Sequence, residues 1–391
     1  MRIGFLLPTL FASKNLFPER IFAPGTLGAD LVNGLVGRGH EVYIFSTPDF
    51  KTNGKLYGGD IEGYKKKLKY FKLYRVDGRE ADIRNDEVWK RSFEISVSTS
   101  AYQWANEKKL DIIHAFHDFL FIPHYLNDLT GIATVYTLHD PLPPDKSFEY
   151  HEFEKFKRHN FVSISDAQRR SDLKLNFVDT VYNGINVDNY VFGSVNSGYL
   201  LFMGRMRREK GLHNAIKAAI KSNLPLEIGT NFPDFFNGDD YFETEIKPYL
   251  DNRLIHEPGM VKDSYKLNLY QNAKALLFPI EWEEPFGMVM TEAMACGTPV
   301  IAYTRGSVPE IVIDGETGFL VNESNDDMRG DWIIKKTGLE GLVLAINKLK
   351  SMSESEYIKM RENCREHVKK KFSVEKMAAD YEKVYKKVLK L

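Results

Sequence analysis

Short apolar runs alternate with longer amphipathic stretches through the first half of the chain. The apolar runs predict β-strands, and their bounds are residues 2–7, 41–46, 112–116, 134–138, 161–165 and 180–183. Apolar residues at helical spacing predict helices over 26–38 and 93–109. Strands that alternate with helices are typical of parallel, doubly wound sheets.

The second half repeats this alternation. Its predicted strands are 199–204, 226–230, 254–259, 275–280 and 299–304, and its predicted helices are 211–222, 264–272 and 288–295. A turn-rich segment at 190–198 separates the two halves. We therefore predict an α/β chain with two Rossmann-like domains, 1–193 and 194–372. A helical tail, 373–391, follows them, and its apolar residues require a packing partner.

Two acidic residues are placed around the start of the predicted helix 288–295. Glu284 lies in the loop before the helix, and Glu292 lies in its second turn. Carboxylates accept hydrogen bonds, and helix N-termini bind anions, so the pair suits a ligand that carries both hydroxyls and phosphates. Acids near helix starts are also common for electrostatic reasons alone, so a solvated helix start remains the alternative for this pair by itself.

A basic cluster follows the first strand of the second half. Arg205 lies at the carboxyl end of that strand, and Lys210 opens the next helix. Two cations beside a helix N-terminus form an anion site that suits a diphosphate. A solvated basic loop is the alternative, and Arg207 and Arg208 are assigned to it. Together with the two glutamates, the cluster favours a ligand that combines a diphosphate with sugar hydroxyls.

Bulk composition bounds the class of protein. The 391 residues exceed what a single core usually organises. The net charge of −1 gives no overall field for nucleic acid. The two cysteines, Cys296 and Cys364, suit a reducing compartment, so we expect a cytoplasmic protein. No apolar run reaches the ~18 residues of a membrane-spanning helix, and no Cys/His spacing is typical of a metal site.

Common nucleotide-binding signatures are absent from the sequence. No GxGxxG follows the first strand, no GxxxxGK[ST] occurs, and no Asp-x-Asp pair is present. The remaining interpretation is a two-domain protein with a ligand cleft between its two sheets.

In this light the chain resembles the retaining glycosyltransferases of family 4 (GT4), which have the GT-B architecture. The resemblance extends over nearly the whole length, through GRGHEVYIF, TLHD, SISDAQ, VYNGINVDNY, LFMGRMRREKG, HEPGMV, EEPFGMVMTEAMACGTPVIA and SVPEIVIDGETGFLV. It implies two Rossmann-like domains that face a cleft, with the C-terminal helix returning to the N-terminal domain.

The resemblance also implies roles for individual residues. Arg205 and Lys210 hold the donor diphosphate, Glu284 faces the donor sugar, and Glu292 binds the ribose. His139 lines the reaction centre from the first domain. The backbone after Glu284 binds sugar and phosphate, and a short segment of the second domain borders the nucleobase. These last two groups are Phe286, Gly287, Met288 and Val289, and Met260 and Val261.

One stretch departs from the family pattern. Members often carry two adjacent glycines after the first strand, whereas this chain has Gly25 and Gly28, and the family position falls nearer Phe22 and Ala23. These two glycines are therefore assigned to the acceptor side.

The resemblance implies a reaction and leaves its substrates open. A hexosyl unit moves from a nucleoside diphosphate sugar to an acceptor hydroxyl with retention and without a metal; UDP-glucose is the first expectation for the donor and GDP-mannose the second. A non-catalytic nucleotide-sugar binder and a nucleotide-sugar epimerase remain alternatives. The acceptor is a sugar, a lipid-linked sugar or a small molecule. The basic and aromatic stretch 64–76 is either a solvated face or a peripheral contact with the inner face of the membrane.

Overall fold

The structure is a computed structural model. It describes residues 1–17, 22–56, 73–74, 80–81, 87–117, 120–169, 172–193, 198–230, 240–250, 253–256, 259–260 and 263–391. Two compact units emerge from its internal contacts. The first comprises residues 1–164, 169–184 and 374–391, and the second comprises 165–168 and 185–373. The C-terminal segment thus belongs to the first unit although it follows the second in the chain.

The strands fall into two groups along the chain. Those of the first group are β1 Arg2–Leu6, β2 Glu41–Phe45, β3 Lys55–Leu56, β4 Leu73–Tyr74, β5 Glu80–Ala81, β6 Ile112–Ala115, β7 Thr134–Leu138, β8 Asn160–Ser163 and β9 Phe177–Thr180. Those of the second group are β10 Leu200–Met203, β11 Leu226–Thr230, β12 Gly259–Met260, β13 Ala275–Phe278, β14 Val300–Tyr303 and β15 Gly318–Val321.

The α-helices lie between and after these strands. They are α1 Ala23–Gly37, α2 Glu87–Lys108, α3 Ile122–Thr130, α4 Phe148–Lys155, α5 Leu212–Ser222, α6 Asp263–Asn272, α7 Met288–Ala295, α8 Val308–Ile311, α9 Gly338–Ser351, α10 Glu354–Lys371 and α11 Val374–Leu389. None of the helices in the described ranges is long and apolar enough to cross a membrane.

Each unit contains one parallel sheet. The first sheet has the strand order β3-β2-β1-β6-β7-β8-β9, and the second has the order β12-β11-β10-β13-β14-β15. The small pair β4 and β5 is antiparallel. In both sheets the order reverses beside the first strand, between β1 and β6 and between β10 and β13. Ligands of open α/β sheets bind outside the carboxyl ends of the strands at such a reversal.

The apolar runs form the centre of each sheet, as their composition predicts. The strands β6, β10, β13, β14 and β15 are buried along their whole length. Strands that are covered by helices on both faces have nearly continuous apolar sequences, and the sequences of these five strands are nearly continuous apolar runs. The confirmed two-sheet α/β architecture thus follows from the hydrophobic pattern.

The helix α11 is joined to the first sheet by a buried hydrogen-bond network. The imidazole of His114 on β6 shares hydrogen bonds with the Tyr385 hydroxyl at its Nδ1, 2.7 Å, and with Thr137 Oγ1 at its Nε2, 2.7 Å. The Tyr381 hydroxyl lies 2.9 Å from the same Thr137 oxygen. Because all four side chains are buried, none of these groups can exchange its partner for water.

Acidification is expected to destabilise the protein through His114. Burial lowers the pKa of His114 from 6.5 to about 3, so the folded state keeps the imidazole neutral while the unfolded state takes up a proton. Stability is therefore unaffected above about pH 6.5 and falls as the pH drops from there towards 3. Melting temperatures between pH 7.5 and 5 test this, with His114→Gln as the comparison. The variant should show a shallower decline, and an identical slope would contradict the prediction.

A parallel bridge joins Ile185 to Ser373 at the two ends of the second unit's main segment. The Ile185 amide donates to the Phe372 carbonyl over 2.9 Å. Two arginines of α10 also bind residues 190–193, which follow Ile185 in the chain. Arg361 donates to the carbonyls of Gly193 and Gly297, and Arg365 donates to that of Tyr190. The beginning of this unit is thereby attached to its end.

Several predicted elements differ from the structure. The helix predicted from residue 26 begins at Ala23, because Pro24 suits a first helical turn and does not end it. The strand predicted over 180–183 is replaced by β9, which ends at Thr180. Of the strand predicted over 254–259, the described residues show an isolated bridge at Ile255 and, at Gly259, the start of the short β12. Of the stretch 64–76, only β4 lies within the described residues.

Candidate functional site

Two loops meet at the reversal point of the second sheet. One follows β10 and carries Arg205 and Lys210; the other follows β13 and carries Glu281 and Glu284. The Glu281 amide donates to the Glu209 carbonyl over 2.9 Å, which joins the loops through their backbones. The sequence therefore brings its basic cluster and its first glutamate to the place where this fold binds ligands.

Lys210 and Glu284 form an ion pair in this position. Lys210 Nζ lies 2.7 Å from Glu284 Oε2, and the two side chains are only 12% and 11% exposed. The Trp282 indole Nε1 donates to the same carboxylate oxygen over 3.0 Å. Lys210 Nζ also lies 4.5 Å from the centre of the Trp282 ring. The cation and the carboxylate are thus held side by side.

A close backbone approach fixes the start of α5 against the loop after β13. Gly211 has a φ of +76°, and a Cβ atom there would come within 1.8 Å of the Pro279 carbonyl oxygen. Only glycine allows this contact. The Asn214 side chain adds a hydrogen bond of 2.7 Å to Glu281. Lys210, which immediately precedes Gly211, is therefore placed by the backbone itself.

The helix α7 begins beside Glu284, as the sequence predicts. Its N-cap residue is Gly287, with a φ of +76°, which has no side chain to cap the first amides. No acidic residue lies in the first turn. The N-terminal amides of Met288 and Val289 and the helix dipole thus provide a partial positive charge near the ion pair. An uncapped helix N-terminus beside a lysine is suited to a phosphate.

Glu292 lies in the second turn of α7 and is well partnered. Lys266 Nζ is 2.7 Å from Glu292 Oε2, and the Tyr270 hydroxyl donates to Oε2 over 2.8 Å. The Tyr190 hydroxyl donates to Oε1 over 3.2 Å. Burial, together with Glu292, raises the pKa of Tyr270 well above its usual value, so this phenol keeps its proton and remains a donor.

Arg205 differs from Lys210 in its surroundings. It is exposed, and no carboxylate in the described part of the chain lies within ion-pair distance of it. Its neighbours Arg207 and Arg208 each contact a glutamate instead, Glu209 and Glu245. Arg205 is thus a cation at the carboxyl end of β10 that has no counter-ion among the described residues.

The remaining predicted donor residues fall into two groups. Phe286 is buried, and the centre of its ring lies 5.8 Å from that of Phe372. Met260 lies in the short strand β12. Val261 lies outside the described residues.

His139 belongs to the first unit and lies directly after β7. Its Nε2 atom is buried and has no hydrogen-bond partner among the described residues. Burial, with smaller effects from His117 and His114, lowers the pKa of His139 well below its usual value, so the imidazole is neutral. Its ring lies 4.4 Å from that of Phe116. A neutral imidazole with an unpartnered nitrogen is able to exchange a hydrogen bond with a ligand.

Gly25 and Gly28 lie inside the first turns of α1 rather than before it. A Cβ atom at Gly28 would come within 2.8 Å of the Phe5 ring, so this glycine permits close helix–sheet packing. At Gly25 the nearest atom is Phe22 Cδ1, at 3.1 Å. Their proposed acceptor-side role stays a prediction.

Four side chains of the site have no local signal in the sequence. Trp282 contacts Glu284, and Glu292 is contacted by Tyr190, Lys266 and Tyr270. Only folding brings these residues to the acids. In the described residues, no group of three or more His, Cys, Asp or Glu side chains could hold a metal ion.

Comparisons with known proteins agree with this arrangement. The family model for glycosyltransferase family 4 matches residues 25–189, and the model for glycosyl transferases group 1 matches residues 193–371. The chain is 29% identical over 196 residues to α-maltose-1-phosphate synthase of Mycobacterium tuberculosis, covering 43% of this chain and 50% of that protein. The chain therefore spans half the length of this relative.

Two further similarities extend over most of the chain. The N-acetyl-α-D-glucosaminyl L-malate synthase of Bacillus anthracis is 24% identical over 401 residues, covering 94% of each chain. The structure of HepE from Anabaena in complex with UDP and glucose superposes with a TM-score of 0.64 at 16% identity, covering 98% of each chain. Two family models that divide the chain between them, and a shared architecture, lead to one conclusion. The chain is GT4-like in both of its halves and has the GT-B fold.

Proposed function

We propose that the protein transfers a hexosyl unit from a nucleoside diphosphate sugar to an acceptor hydroxyl, with retention at the anomeric carbon. The observation that carries this proposal is the pair Lys210 and Glu284 beside the N-terminus of α7. A diphosphate needs cations and amides, and a sugar needs carboxylate acceptors. Both kinds of group lie together at the reversal point of the second sheet.

The donor side of the proposal assigns one role to each group. Lys210 and Arg205 bind the diphosphate, together with the amides of Met288 and Val289. Glu284 accepts from the sugar hydroxyls. Glu292 accepts from the ribose hydroxyls.

The proposed mechanism concentrates on the leaving group. Negative charge grows on the diphosphate as the sugar–phosphate bond breaks, and preorganised cations and amides stabilise that charge without moving. The acceptor attacks from the face of the leaving group, and a phosphate oxygen accepts its proton. The cations and the helix N-terminus stabilise the negative charge on the diphosphate, which a metal ion stabilises in other enzymes. We therefore propose that no metal is required.

UDP-glucose is the first candidate for the donor. HepE, which shares the fold, has been crystallised with UDP-glucose, at a TM-score of 0.63 and 17% identity. GDP-mannose is the second candidate. A sugar, a lipid-linked sugar or a small molecule is the proposed class of acceptor.

A thermal-shift panel in EDTA tests the donor site. It compares UDP, GDP, ADP and their common hexose conjugates. A ligand at 100 times its dissociation constant adds about 2.7 kcal/mol, so the correct nucleotide series should raise the melting temperature by a few degrees. A shift that appears only after Mg²⁺ is added would contradict metal independence. No shift under either condition would contradict the donor site itself.

Product analysis separates the remaining alternatives. A transferase forms a glycoside only when acceptor is present. An epimerase interconverts nucleotide sugars without an acceptor, and a binding protein stabilises on addition of ligand but forms no product. Incubation of the stabilising nucleotide sugar with and without a mixture of candidate acceptors distinguishes the three.

A further inference from the structure

A long loop between β15 and α9 lies on the same edge of the second sheet as the site. It comprises residues 322–337 and is called the 322–337 loop below. Asn322 orders it: its Oδ1 accepts from the Arg329 amide over 2.8 Å and from the Trp332 indole over 3.2 Å. Its Nδ2 donates to the Gly330 carbonyl over 2.9 Å. The side chain of the first residue of the loop therefore holds its middle part in place through three hydrogen bonds.

Arg329 extends from this loop to the residue that precedes Glu284. Its Nη1 donates to Glu283 Oε2 over 2.8 Å, and its Nη2 lies 2.7 Å from Glu283 Oε1. This bidentate contact fixes the orientation of the carboxylate as well as its distance. Asp327 holds the guanidinium from the other side, at 2.9 Å.

Glu283 is bound by the segment after β14 as well. The Gly306 amide donates to Glu283 Oε2 over 2.7 Å, and Arg305 Nη1 donates to Oε1 over 3.2 Å. Partial burial alone raises the pKa of Glu283, but Arg329, the Gly306 amide and Arg305 outweigh it and hold the pKa below its usual range. The carboxylate is therefore charged at neutral pH.

The backbone next to Glu283 has little freedom. The Ser307 amide donates to the Glu284 carbonyl over 2.9 Å, and the Ser307 hydroxyl donates to the Phe286 carbonyl over 2.9 Å. A Cβ atom at Gly306 would come within 2.3 Å of the Glu284 carbonyl oxygen. A shift of Glu283 is therefore transmitted to Glu284 rather than absorbed between them.

We propose that Arg329 is a positioning residue that holds Glu284 in place through Glu283, and that the 322–337 loop is thereby part of the donor site. The inference rests on the proposed function, because it assigns Glu284 to the donor sugar. Small displacements of a binding group are costly when its geometry is preorganised. Arg329 and Glu283 are 29% and 56% exposed, so solvent weakens the pair and the effect is moderate.

The test compares Arg329→Met with the wild-type protein and with two further variants. Lys335→Met removes an exposed cation of the same loop, 67% exposed and paired only with Asp331 in the described chain, and serves as the matched control. Arg329→Lys keeps the positive charge of the wild type but cannot form the bidentate contact. Hydrogen exchange in the unliganded protein is followed at the Gly306 and Ser307 amides, and calorimetry measures the affinities for UDP and UDP-glucose.

Arg329→Met should accelerate exchange at Gly306 and Ser307 and weaken UDP-glucose binding about three- to tenfold, with UDP affinity unchanged. Lys335→Met should match the wild type, and Arg329→Lys should be intermediate. Unchanged exchange, unchanged UDP-glucose affinity, or an equal loss for both ligands would overturn the inference. If the wild type binds neither UDP nor UDP-glucose, and neither GDP nor GDP-mannose in the same titration, the proposed function is wrong and the inference falls with it. If the wild type binds both UDP and UDP-glucose and Arg329→Met equals it, only the inference is wrong.

Discussion

Replacing Lys210 by methionine is expected to lower kcat/KM for the donor about 10²–10³-fold, by comparison with the loss of one donor to a developing oxyanion. Two causes act together. The diphosphate loses a cation, and Glu284 is left as a carboxylate without its counter-ion beside the position of an anionic ligand. The measurement is turnover of the nucleotide sugar that the thermal-shift panel identifies, together with the affinity for the corresponding nucleoside diphosphate.

The same substitution also affects stability, so a second variant separates the two effects. Removing one partner of a buried ion pair destabilises a protein because the other charge remains. The double variant Lys210→Met/Glu284→Gln removes both charges and should recover stability without recovering turnover. Arg207→Met is the matched control, because Arg207 lies in the same loop but pairs with Glu209. A folded Lys210→Met protein with kcat/KM within threefold of the wild type would rule out the assigned role.

Arg205 provides an internal comparison. It lies in the same loop, is exposed and has no counter-ion within the described residues, so its loss leaves no unpaired carboxylate. Both substitutions should reduce turnover if both cations meet the diphosphate. The reduction should be greater for Lys210, because only there does an uncompensated negative charge remain.

Deleting α11 is expected to unfold the first unit. The helix buries Met377, Tyr381, Val384 and Tyr385, and burial of each large side chain contributes about 1.5–3 kcal/mol. Their sum approaches the whole stability of a typical domain, about 5–15 kcal/mol. A chain that ends at Ser373 should therefore be recovered unfolded or aggregated, as judged by circular dichroism and size-exclusion chromatography. Full stability of this truncated chain would contradict the prediction.

A milder substitution tests the same contact in a protein that folds. Tyr385→Phe keeps the ring but leaves His114 Nδ1 without its partner, which costs about 1–3 kcal/mol. The melting temperature should fall by roughly 2–4 °C per kcal/mol for a unit of this size. Glu375→Gln is the control, since Glu375 is exposed on the same helix. Equal melting temperatures for the two variants would show that the buried network contributes nothing.

The periodicity of the sequence was sufficient for the central elements of the fold. The strands Thr134–Leu138 and Leu226–Thr230 and the helix Met288–Ala295 have the predicted bounds, since each is an apolar or amphipathic run ended by turn residues. Short peripheral elements were harder to predict from the sequence. In the described part of the predicted strand 254–259, Ile255 forms an isolated bridge and Gly259 begins β12, because pairing at a sheet edge depends on the neighbouring strand.

The candidate site was predictable in its residues but not in its pairing. Arg205, Lys210, Glu284 and Glu292 were identified from their positions at strand ends and helix starts. The ion pair between Lys210 and Glu284 has no such signal, because each motif by itself predicts a contact to a ligand and not to the other motif. Nor could local spacing indicate that Lys266 and Tyr270 contact Glu292, since both lie on another helix.

The bridge between Ile185 and Ser373 has a consequence for engineering the protein. Apart from the short piece 165–168, the second unit is one continuous segment whose two ends are hydrogen-bonded neighbours. Such a segment behaves as a cassette inserted into its host. It can be excised as residues 185–373, or its ends can be linked and new termini opened elsewhere, with little cost in loop closure. We therefore expect that the unit that carries the donor residues can be exchanged between relatives as one continuous coding segment.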